Sequence, residues 1–308
     1  MSWQTVVAQP SELGESPFWQ PDERLLYWVD IAARQLHRAD VQTGTLQSWS
    51  MPCEPGCIAP ARSHGQNTGL IIALRDGVYR ARQWGGALEL LAPALHDPAT
   101  SRFNDGKADP LGRFWAGTIY EPRDAANAQL FSLDGRDGRA PLLELKAGDA
   151  TTANGLAWSP DAATVYWADT PRHRIRAWDW DPISNAMGRE RVFHQWPAKA
   201  AGWQPGMPGY GGRPDGAAVD VQGNYYVAMY EGARLLKLSP DGAVLAEIAV
   251  PAQCPTMPCF GGDDLKTLYV TTARQNRSDA ELQAYPNSGC VFSMGVDVPG
   301  LPVNFYVG

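Results

Sequence analysis

The fold is decided by the stretch Ser159-Pro160-Asp161-Ala162-Ala163-Thr164-Val165-Tyr166-Trp167-Ala168-Asp169, because its pattern returns along the chain. A turn signal here leads into a short run of β-branched and aromatic residues. Gln20-Pro21-Asp22 precedes 25–30 in the same way, and Gly262-Asp263-Asp264 precedes 267–272 at the same offset. Three looser copies lead into the runs 69–74, 113–118 and 224–229. Six copies in 308 residues place one unit about every 50 residues.

Each copy is followed by a run in which apolar and polar residues alternate, as in Arg174-Ile175-Arg176-Ala177-Trp178-Asp179. Turn signals such as Asp241-Gly242 come next in most copies, and another strand-like run usually follows. Six units of four short antiparallel strands predict an all-β protein, a six-bladed β-propeller formed by residues 1–308 as one domain. Two β-sandwiches are the alternative, but the repeat does not stop at mid-chain. We expect residues 3–7 to pair with the last unit near residues 302–307 and close the ring.

The composition excludes several classes of protein. Hydrophobic residues make up 44% of the chain, enough for a large core, and no heptad or Gly-X-Y repeat is present. No apolar run reaches the roughly 18–20 residues of a membrane span, and the first residues resemble no export signal, so we expect a cytoplasmic protein. A net charge of −7 argues against nucleic acid as a partner and favours a small neutral or metal-bound one. The sequence leaves the oligomeric state open.

The chain has five cysteines, an odd number in a sequence without an export signal. We therefore expect reduced thiols that pack as small hydrophobic side chains, rather than a disulfide framework. The spacings Cys53-x3-Cys57 and Cys254-x4-Cys259 are the alternative signal, for a thiolate metal site, but neither has a clear set of histidine partners.

One position of the repeat carries oxygen ligands. Seven residues before Asp22 and Asp161 stand Glu15 and Asn154, and the same alignment in the other copies completes a set that we call the axial position. In chain order the axial position is Glu15, Cys57, Asn104, Asn154, Asp215 and Met257. We place it just before the innermost strand of each blade, so that all six side chains face one axial opening.

Two carboxylates and two amides at one opening suit a divalent cation. Oxygen ligands favour Ca²⁺, Mg²⁺ or Mn²⁺, and sites rich in oxygen also take Zn²⁺ or Fe²⁺. Asn, Asp and Glu before a strand are also common turn formers, and this is the alternative for any one of them. Four in the same register favour one metal site.

Two further side chains approach the same opening. Arg102 lies two residues before Asn104, where a guanidinium can bind substrate oxygens, and Glu121 follows the run 113–118. The alternatives are a salt bridge within a loop for Arg102 and a solvated carboxylate for Glu121. The five histidines show no paired spacing, and there is no nucleophile elbow, P-loop or dinucleotide fingerprint.

At these residues the sequence resembles the SMP-30/gluconolactonase family, also called the regucalcin family, of six-bladed propellers. The most specific match is the run Arg102-Phe103-Asn104-Asp105-Gly106-Lys107-Ala108-Asp109-Pro110-Leu111-Gly112-Arg113-Phe114-Trp115-Ala116-Gly117-Thr118. Shorter matches are Leu13-Gly14-Glu15-Ser16-Pro17, Asn154-Gly155-Leu156-Ala157-Trp158-Ser159, Pro214-Asp215-Gly216 and Cys259-Phe260-Gly261-Gly262. The resemblance therefore covers essentially the whole chain.

The resemblance implies roles for these residues. Glu15, Asn154 and Asp215 match the family's metal ligands, and Asp215 also matches the residue proposed as general base. Arg102, Asn104 and Glu121 match its substrate-contacting positions. The segment 195–213, which carries Trp196, Trp203 and Tyr210, is longer than the family core requires. It is a candidate cover for the opening that would narrow the substrate range.

The leading hypothesis from the sequence is a metal-dependent hydrolase that opens a small sugar lactone, such as glucono-, xylono-, arabinono- or galactonolactone, to the aldonic acid. A phosphotriesterase-like hydrolase is the enzymatic alternative, because propellers of that kind use a similar oxygen ring around calcium. A calcium-binding propeller without catalytic activity is the alternative from another class. The sequence selects neither the lactone nor the metal.

Overall fold

Short strands make up most of this computed structural model, which describes residues 2–204 and 207–308. The first nine strands are β1 (Gln4–Val7), β2 (Gly14–Gln20), β3 (Leu25–Asp30), β4 (Gln35–Asp40), β5 (Thr45–Ser50), β6 (Pro55–Ser63), β7 (Gln66–Leu74), β8 (Gly77–Ala81) and β9 (Leu88–Pro93). The next eight are β10 (Ser101–Ala108), β11 (Phe114–Tyr120), β12 (Ala128–Asp134), β13 (Leu142–Ala150), β14 (Ala153–Trp158), β15 (Thr164–Asp169), β16 (Arg174–Asp181) and β17 (Ala186–Gln195). The last eight are β18 (Arg213–Val219), β19 (Tyr225–Tyr230), β20 (Arg234–Leu238), β21 (Val244–Ala249), β22 (Pro255–Gly261), β23 (Thr267–Thr272), β24 (Val291–Gly295) and β25 (Tyr306–Val307).

These strands form six antiparallel sheets, the blades of a β-propeller. Blades 1, 3, 4 and 5 are β2–β5, β10–β13, β14–β17 and β18–β21, each with its strands in sequence order. Blade 2 is β6–β9 with β25 added at its inner edge, and blade 6 is β22–β24 with β1 added at its outer edge. The innermost strands β2, β6, β10, β14, β18 and β22 each contact the next one around the ring. The predicted six-bladed propeller is therefore confirmed.

Burial decreases from the axis outward and explains the sequence pattern. All seven residues of β2 and of β22 are buried, whereas the outermost strands β5 and β21 are mostly exposed. The repeated aromatic runs form the second strand of each blade, as β15 does, and pack between blades. The axial position lies within the innermost strand of each blade. The prediction that it lies just before that strand is therefore wrong.

Tryptophans fill the space between blades 3 and 4. The ring of Trp115 lies 5.7 Å from that of Trp158 and 6.1 Å from that of Trp180, both edge to face. Edge-to-face aromatic pairs stabilise a core beyond the area that they bury. These three tryptophans thus join blade 3 to blade 4.

Both ends of the chain hold the ring closed. Strand β1 pairs antiparallel with β24, for example Thr5 with Phe292, so the last blade contains the first strand, as predicted. The predicted contact with residues 302–307 is wrong, because β25 crosses to blade 2 and pairs parallel with β6, Tyr306 opposite Ala61. Residues 301–304 pass the end of the axis on the way there.

The two long connections differ. The connection after β23, predicted as a loop, contains the helix α1 (Asp279–Ala284), and Ser278 Oγ accepts the Glu281 N–H at its N-terminus. The connection between β17 and β18 contains no helix or strand among its described residues, and its Pro205 and Gly206 lie outside them. Short 3₁₀ turns occupy Arg136–Gly138 and Thr170–Arg172. Among the described residues, no helix is long and apolar enough to cross a membrane.

All five cysteines carry free thiols, as expected. Four of them, Cys57, Cys254, Cys259 and Cys290, are buried. Burial raises the pKa of Cys254 and Cys259 to about 12, so that these thiols remain protonated and inert.

Because β25 joins the end of the chain to blade 2, we predict that the last residues stabilise the ring. Tyr306 is buried in a cluster with Phe114 and Phe131, so Tyr306→Ala should lower the free energy of unfolding by roughly the 3–5 kcal/mol known for large aromatic side chains. Val307 is 43% exposed, so Val307→Ala should change it little. Denaturant titration of both variants checks this, and equal effects would contradict a closing role for Tyr306.

Candidate active site

A shift of strand register brings the axial residues into the opening. In every blade the pairing between the first two strands shifts at the axial position, as at a β-bulge; in blade 4 the shift lies between Asn154 and Ala157, and in blade 5 between Pro214 and Ala217. Such bulges turn a side chain out of its regular alternation and are common beside active sites. The residue after Asn154 is Gly155 at φ 60°, where a Cβ would collide with the Tyr225 hydroxyl. The repeated irregularity thus serves a common purpose, which is to direct one side chain per blade towards the axis.

The two axial amides are oriented by a chain of hydrogen bonds. Asn104 Nδ2 donates to Asn154 Oδ1 at 3.0 Å, and Asn154 Nδ2 donates to Thr170 Oγ1 at 2.8 Å. Thr170 in turn donates to the Pro214 carbonyl at 2.7 Å, next to Asp215. These two bonds fix the orientation of the Asn154 amide. Its oxygen accepts one hydrogen bond and has a second lone pair, which can bind a further partner.

Arg102 lies in strand β10 rather than in a loop, and its guanidinium is held above the amides. Its Nη1 donates to Asn104 Oδ1 at 2.8 Å and to the Phe103 carbonyl at 2.9 Å. Its Nε is 3.6 Å from Glu121 Oε1. Burial lowers the pKa of Arg102 to about 10, so the guanidinium stays charged at neutral pH.

Glu121 is half-exposed at the rim and is shared by two arginines. Arg75 donates to both of its carboxylate oxygens, Nη1 and Nη2 each at 3.0 Å, and donates from Nε to Glu54 at 2.9 Å. Bidentate pairs of this kind fix orientation as well as charge. Arg75 therefore positions the carboxylate beside Arg102, a contribution that carries no motif signal in the sequence.

Three carboxylates are buried together at the axis. Glu15, Asp105 and Asp215 are each less than 7% exposed. Burial, followed by repulsion from Asp215 and Asp105, raises the pKa of Glu15 well above its usual value. Burial and the charge of Asp105 likewise raise the pKa of Asp215. The structure thus brings the predicted carboxylates Glu15 and Asp215 together with a third, Asp105, that the sequence analysis did not single out.

Asp105 and Lys107 form the floor below the axial residues. Asp105 Oδ2 accepts the Leu156 N–H at 2.9 Å, and Lys107 donates across the channel to the Ala217 carbonyl of blade 5. Lys107 is half-buried; removal of its ammonium from water lowers its pKa, and the nearby Asp105 opposes that shift. Both residues stand inside the motif run 102–118, and no pairing pattern in the sequence marks them out from its other polar residues.

Below this floor the channel changes character. A cavity of about 290 Å³ lies on the axis there, lined mainly by apolar residues that follow the axial position in each blade and by residues 301–304. Trp19, Trp158 and Phe260 contribute aromatic walls. Among the described residues, Lys107 is the one charged residue that lines this cavity.

The donors of the axial ring fit a hard divalent cation. Glu15 Oε2 is buried without a hydrogen-bond partner among the described residues, which is costly unless a cation or donor satisfies it. A cation would also relieve the repulsion between Glu15 and Asp215. Among the described residues, no group of three or more His, Cys, Asp or Glu side chains could hold a metal, and the ring instead combines two carboxylates with amide oxygens. Cys57 and Met257, the other axial residues, are buried and apolar.

The long segment after β17 packs beside blade 5. Tyr210 Oη is 2.8 Å from His173 Nε2, and its ring meets Trp203 edge to face at 4.8 Å. Lys199 donates to Glu231 at 2.8 Å, which joins the segment to the connection between β19 and β20. Trp196 instead packs against His194, with ring centroids 4.1 Å apart. These contacts attach the segment to both blade 4, through His173 and His194, and blade 5, through Glu231.

Comparison with known proteins places this geometry in context. Residues 13–274 match the model of the SMP-30/gluconolactonase/LRE-like region. The chain is 45% identical to a 6-deoxy-6-sulfogluconolactonase of Pseudomonas putida over 98% of both chains. It is 33% identical to a pentonolactonase of Haloferax volcanii over 96% of this chain and 95% of that one. The crystal structure of a calcium-binding regucalcin from Agrobacterium tumefaciens superposes with a TM-score of 0.88 at 25% identity, covering 99% of this chain and 97% of that one.

The buried carboxylates predict a stability that depends on pH and on cations. The folded-state pKa of Glu15 is raised, so the folded chain binds more protons than the unfolded chain, and chelated protein should lose stability as pH rises above about 4. Glu15→Gln removes this ionisation and should raise the Tm of chelated protein at pH 8. The Tm between pH 5 and pH 8, measured in EDTA, checks both statements.

The matched control is Glu89→Gln, which removes an exposed carboxylate paired with Arg82 at 3.1 Å. Exposed pairs contribute about 0–1 kcal/mol, so this variant should follow the wild-type pH dependence. An unchanged or lower Tm for Glu15→Gln at pH 8 would show that repulsion at the axis does not limit stability.

Proposed function

Since the chain belongs to the SMP-30/gluconolactonase/LRE-like family, we propose that it hydrolyses a sugar lactone to the aldonic acid with a divalent cation bound at the axial ring. The observation that carries this proposal is the convergence of Glu15, Asn154 and Asp215 with the guanidinium of Arg102 at one end of the axis. The lactonase names of the relatives from Pseudomonas putida and Haloferax volcanii support it. Free thiols in all five cysteines fit a reducing compartment, and we assign the activity to the cytoplasm.

We assign the cation to Glu15, Asn154 and Asp215. Their oxygens suit Ca²⁺, Mg²⁺ or Mn²⁺, and Zn²⁺ and Fe²⁺ are further candidates. When bound, the cation supplies Lewis-acid polarisation of the lactone carbonyl and stabilises the negative charge that develops on its oxygen. The calcium-binding regucalcin that shares this fold supports calcium as the first ion to test.

We assign substrate binding to Arg102, Asn104 and Glu121. Arg102 has five N–H donors, and contacts to Phe103 and Asn104 engage only its Nη1. Its other donors can hold the lactone oxygens, while Glu121, fixed by Arg75, accepts sugar hydroxyls at the rim. Holding the lactone at several points places its carbonyl carbon beside Asp215 and lowers the entropic cost of the attack.

We assign the general-base role to Asp215. One of its carboxylate oxygens accepts a proton from the attacking water while the water oxygen bonds to the carbonyl carbon. The bond from that carbon to the ring oxygen then breaks, and the proton passes from Asp215 to the departing oxygen. Lactone and water are thereby converted to the open hydroxy acid, with Asp215 returned to its ionised form.

Asp215→Asn removes the base while keeping the shape of the side chain. Loss of general-base catalysis should lower kcat for aldonolactones by about 10²–10⁴-fold, and loss of a proposed cation ligand should add to the effect. Asp263→Asn is the matched control, because its carboxylate lies at the surface. A pH-indicator assay checks both variants, and a wild-type rate for Asp215→Asn would exclude this mechanism.

Chelation tests the cation and separates the alternatives. Exhaustive EDTA treatment should abolish turnover of glucono-, xylono-, arabinono-, galactono- and 6-deoxy-6-sulfogluconolactone, and add-back of single ions should restore it. Turnover that survives chelation would contradict cation dependence. Hydrolysis of a phosphotriester without any lactone turnover would favour the phosphotriesterase alternative, and tight calcium binding without turnover would favour a binding protein.

A further inference from the structure

A second arginine occupies the register of Arg102. Arg213 lies two residues before the axial Asp215 of blade 5, as Arg102 lies two residues before the axial Asn104 of blade 3. The other four blades have uncharged residues at this register, namely Leu13, Pro55, Thr152 and Pro255. Because the six innermost strands are equivalent around the axis, Arg213 approaches the same end of the axis from the blade 5 side.

Arg213 is not fully used by its neighbours. Its guanidinium lies over the Tyr230 ring, with Cζ 5.3 Å from the centroid, and its Nη2 is 3.5 Å from Glu231 Oε2. That separation is at the outer limit for a hydrogen bond. Its Nε is buried without a hydrogen-bond partner among residues 2–204 and 207–308. The positive charge lowers the pKa of Asp215, against burial and Asp105, so it lies within electrostatic reach of the proposed base.

The groups around Arg213 are cationic overall. Glu231 Oε2 accepts from Lys199 at 2.8 Å, and Glu231 Oε1 is 3.5 Å from Arg277 Nη1. Arg277 also forms a bidentate pair with Glu281, at 2.6 and 2.7 Å. Lys199, Arg213 and Arg277 thus stand against Glu231 and Glu281, which leaves one positive charge; Asp215 is not included in this sum because the proposed cation would balance it together with Glu15. We call the five residues of this sum the blade 5 cluster.

Tyr210 belongs to the wall of the same region. Lys199 Nζ lies 5.8 Å from the Tyr210 ring centroid. The Tyr210 hydroxyl donates to His173 Nε2, because His173 Nδ1 donates to the Pro171 carbonyl, so Tyr210 contributes its ring rather than a donor. The segment 196–212 thereby contributes an ammonium near Arg213, and N–H donors with one net positive charge suit an oxyanion.

We propose that the blade 5 cluster binds a monoanionic oxyanion substituent of the lactone, such as a sulfonate, and that Arg213 is the residue that determines this specificity. This inference rests on the proposed lactonase function and assigns the substrate class of that site. One net charge matches a monoanion, whereas a phosphate monoester carries about −1.5 to −2 at neutral pH and would meet Glu231 and the axial carboxylates with more repulsion. With a neutral sugar, the buried Nε of Arg213 and the net positive charge of the blade 5 cluster would have no negatively charged partner.

The competing explanation is purely structural, namely that three cations hold Glu231 and thereby attach segment 196–212 to blade 5. Lys199, which donates to Glu231 at 2.8 Å, serves that role well. Arg213 and Arg277 each lie 3.5 Å from Glu231, but Arg277 is also held by its short bidentate pair with Glu281, whereas Arg213 has no such second carboxylate partner among the described residues. A structural role would affect all lactones alike, whereas a specificity role changes the preference between charged and neutral lactones.

The test compares wild type with Arg213→Gln, Arg213→Lys and the control Arg191→Gln. Arg191 lies on the outer surface of blade 4 and pairs with Asp179 at 2.6 Å, so its substitution changes the charge equally but far from the axis. The lactones are gluconolactone, 6-deoxy-6-sulfogluconolactone and 6-phosphogluconolactone. The measured quantity is kcat/KM for each, from 20 mM to 500 mM salt.

Wild type should prefer the sulfonated lactone to both others, and this preference should weaken as salt screens the charge. Arg213→Gln should reduce the ratio of sulfonated to neutral kcat/KM by about 10- to 100-fold, the size of one charged hydrogen bond. Arg213→Lys should retain part of the preference as a point charge, and Arg191→Gln should retain all of it. Calorimetric Kd values of the products, 6-deoxy-6-sulfogluconate and gluconate, should change in the same ratio.

If Arg213→Gln lowers kcat/KM equally for the neutral and the sulfonated lactone, the ratio of the two stays unchanged. This result would overturn the proposal and support the structural role. Equal or better turnover of the phosphorylated lactone by wild type would overturn the assignment of a monoanion. Absence of turnover for all three lactones in wild type would instead contradict the lactonase function itself, so the two failures are distinguishable.

Discussion

The repulsion between buried carboxylates at the axis is the interaction that organises the rest of this protein. Glu15 and Asp215 come from blades 1 and 5, far apart in sequence, and Asp105 from blade 3 adds a third charge. Charges of one sign are driven apart unless the surrounding structure holds them. The closed ring supplies that restraint, because each innermost strand is packed between two others. A cation bound there would relieve the repulsion.

The positive charges around the axis follow from the same constraint. Lys107 crosses the floor, Arg102 donates to the axial amide of blade 3, and Arg213 approaches from blade 5. Each is itself held by carbonyls, carboxylates or an aromatic ring, so its position is fixed before a ligand arrives. Preorganised charge of this kind stabilises negative charge without the cost of reorganisation. The site is therefore polarised on several sides around one end of the axis.

The periphery carries the differences between this chain and a regular propeller. Strand β1 and strand β25 join the two ends of the chain to blades 6 and 2, which secures the ring. The segment 196–212 and helix α1 both meet Glu231 or its partners, on the blade 5 side. Stability is thus concentrated in the repeated strands, while the proposed specificity cluster joins Arg213 of β18 to residues of the two long connections.

The sequence by itself determined the number of blades, their four-strand pattern and the set of oxygen-bearing residues at one register, because alternation of apolar residues and turn signals act locally and repeat. It also marked Arg102, within a specific motif run, and Glu121, three residues after that run ends. Only the tertiary structure decided that a register shift in every innermost strand directs the axial side chains, that Tyr306 pairs with blade 2 rather than with β1, and that Arg75 holds Glu121. It alone brought Asp105 beside Glu15, and Lys199 and Arg277 beside Glu231, because the electrostatic effect of a charge depends on distance and burial across blades, and neither is encoded at a fixed spacing along the chain.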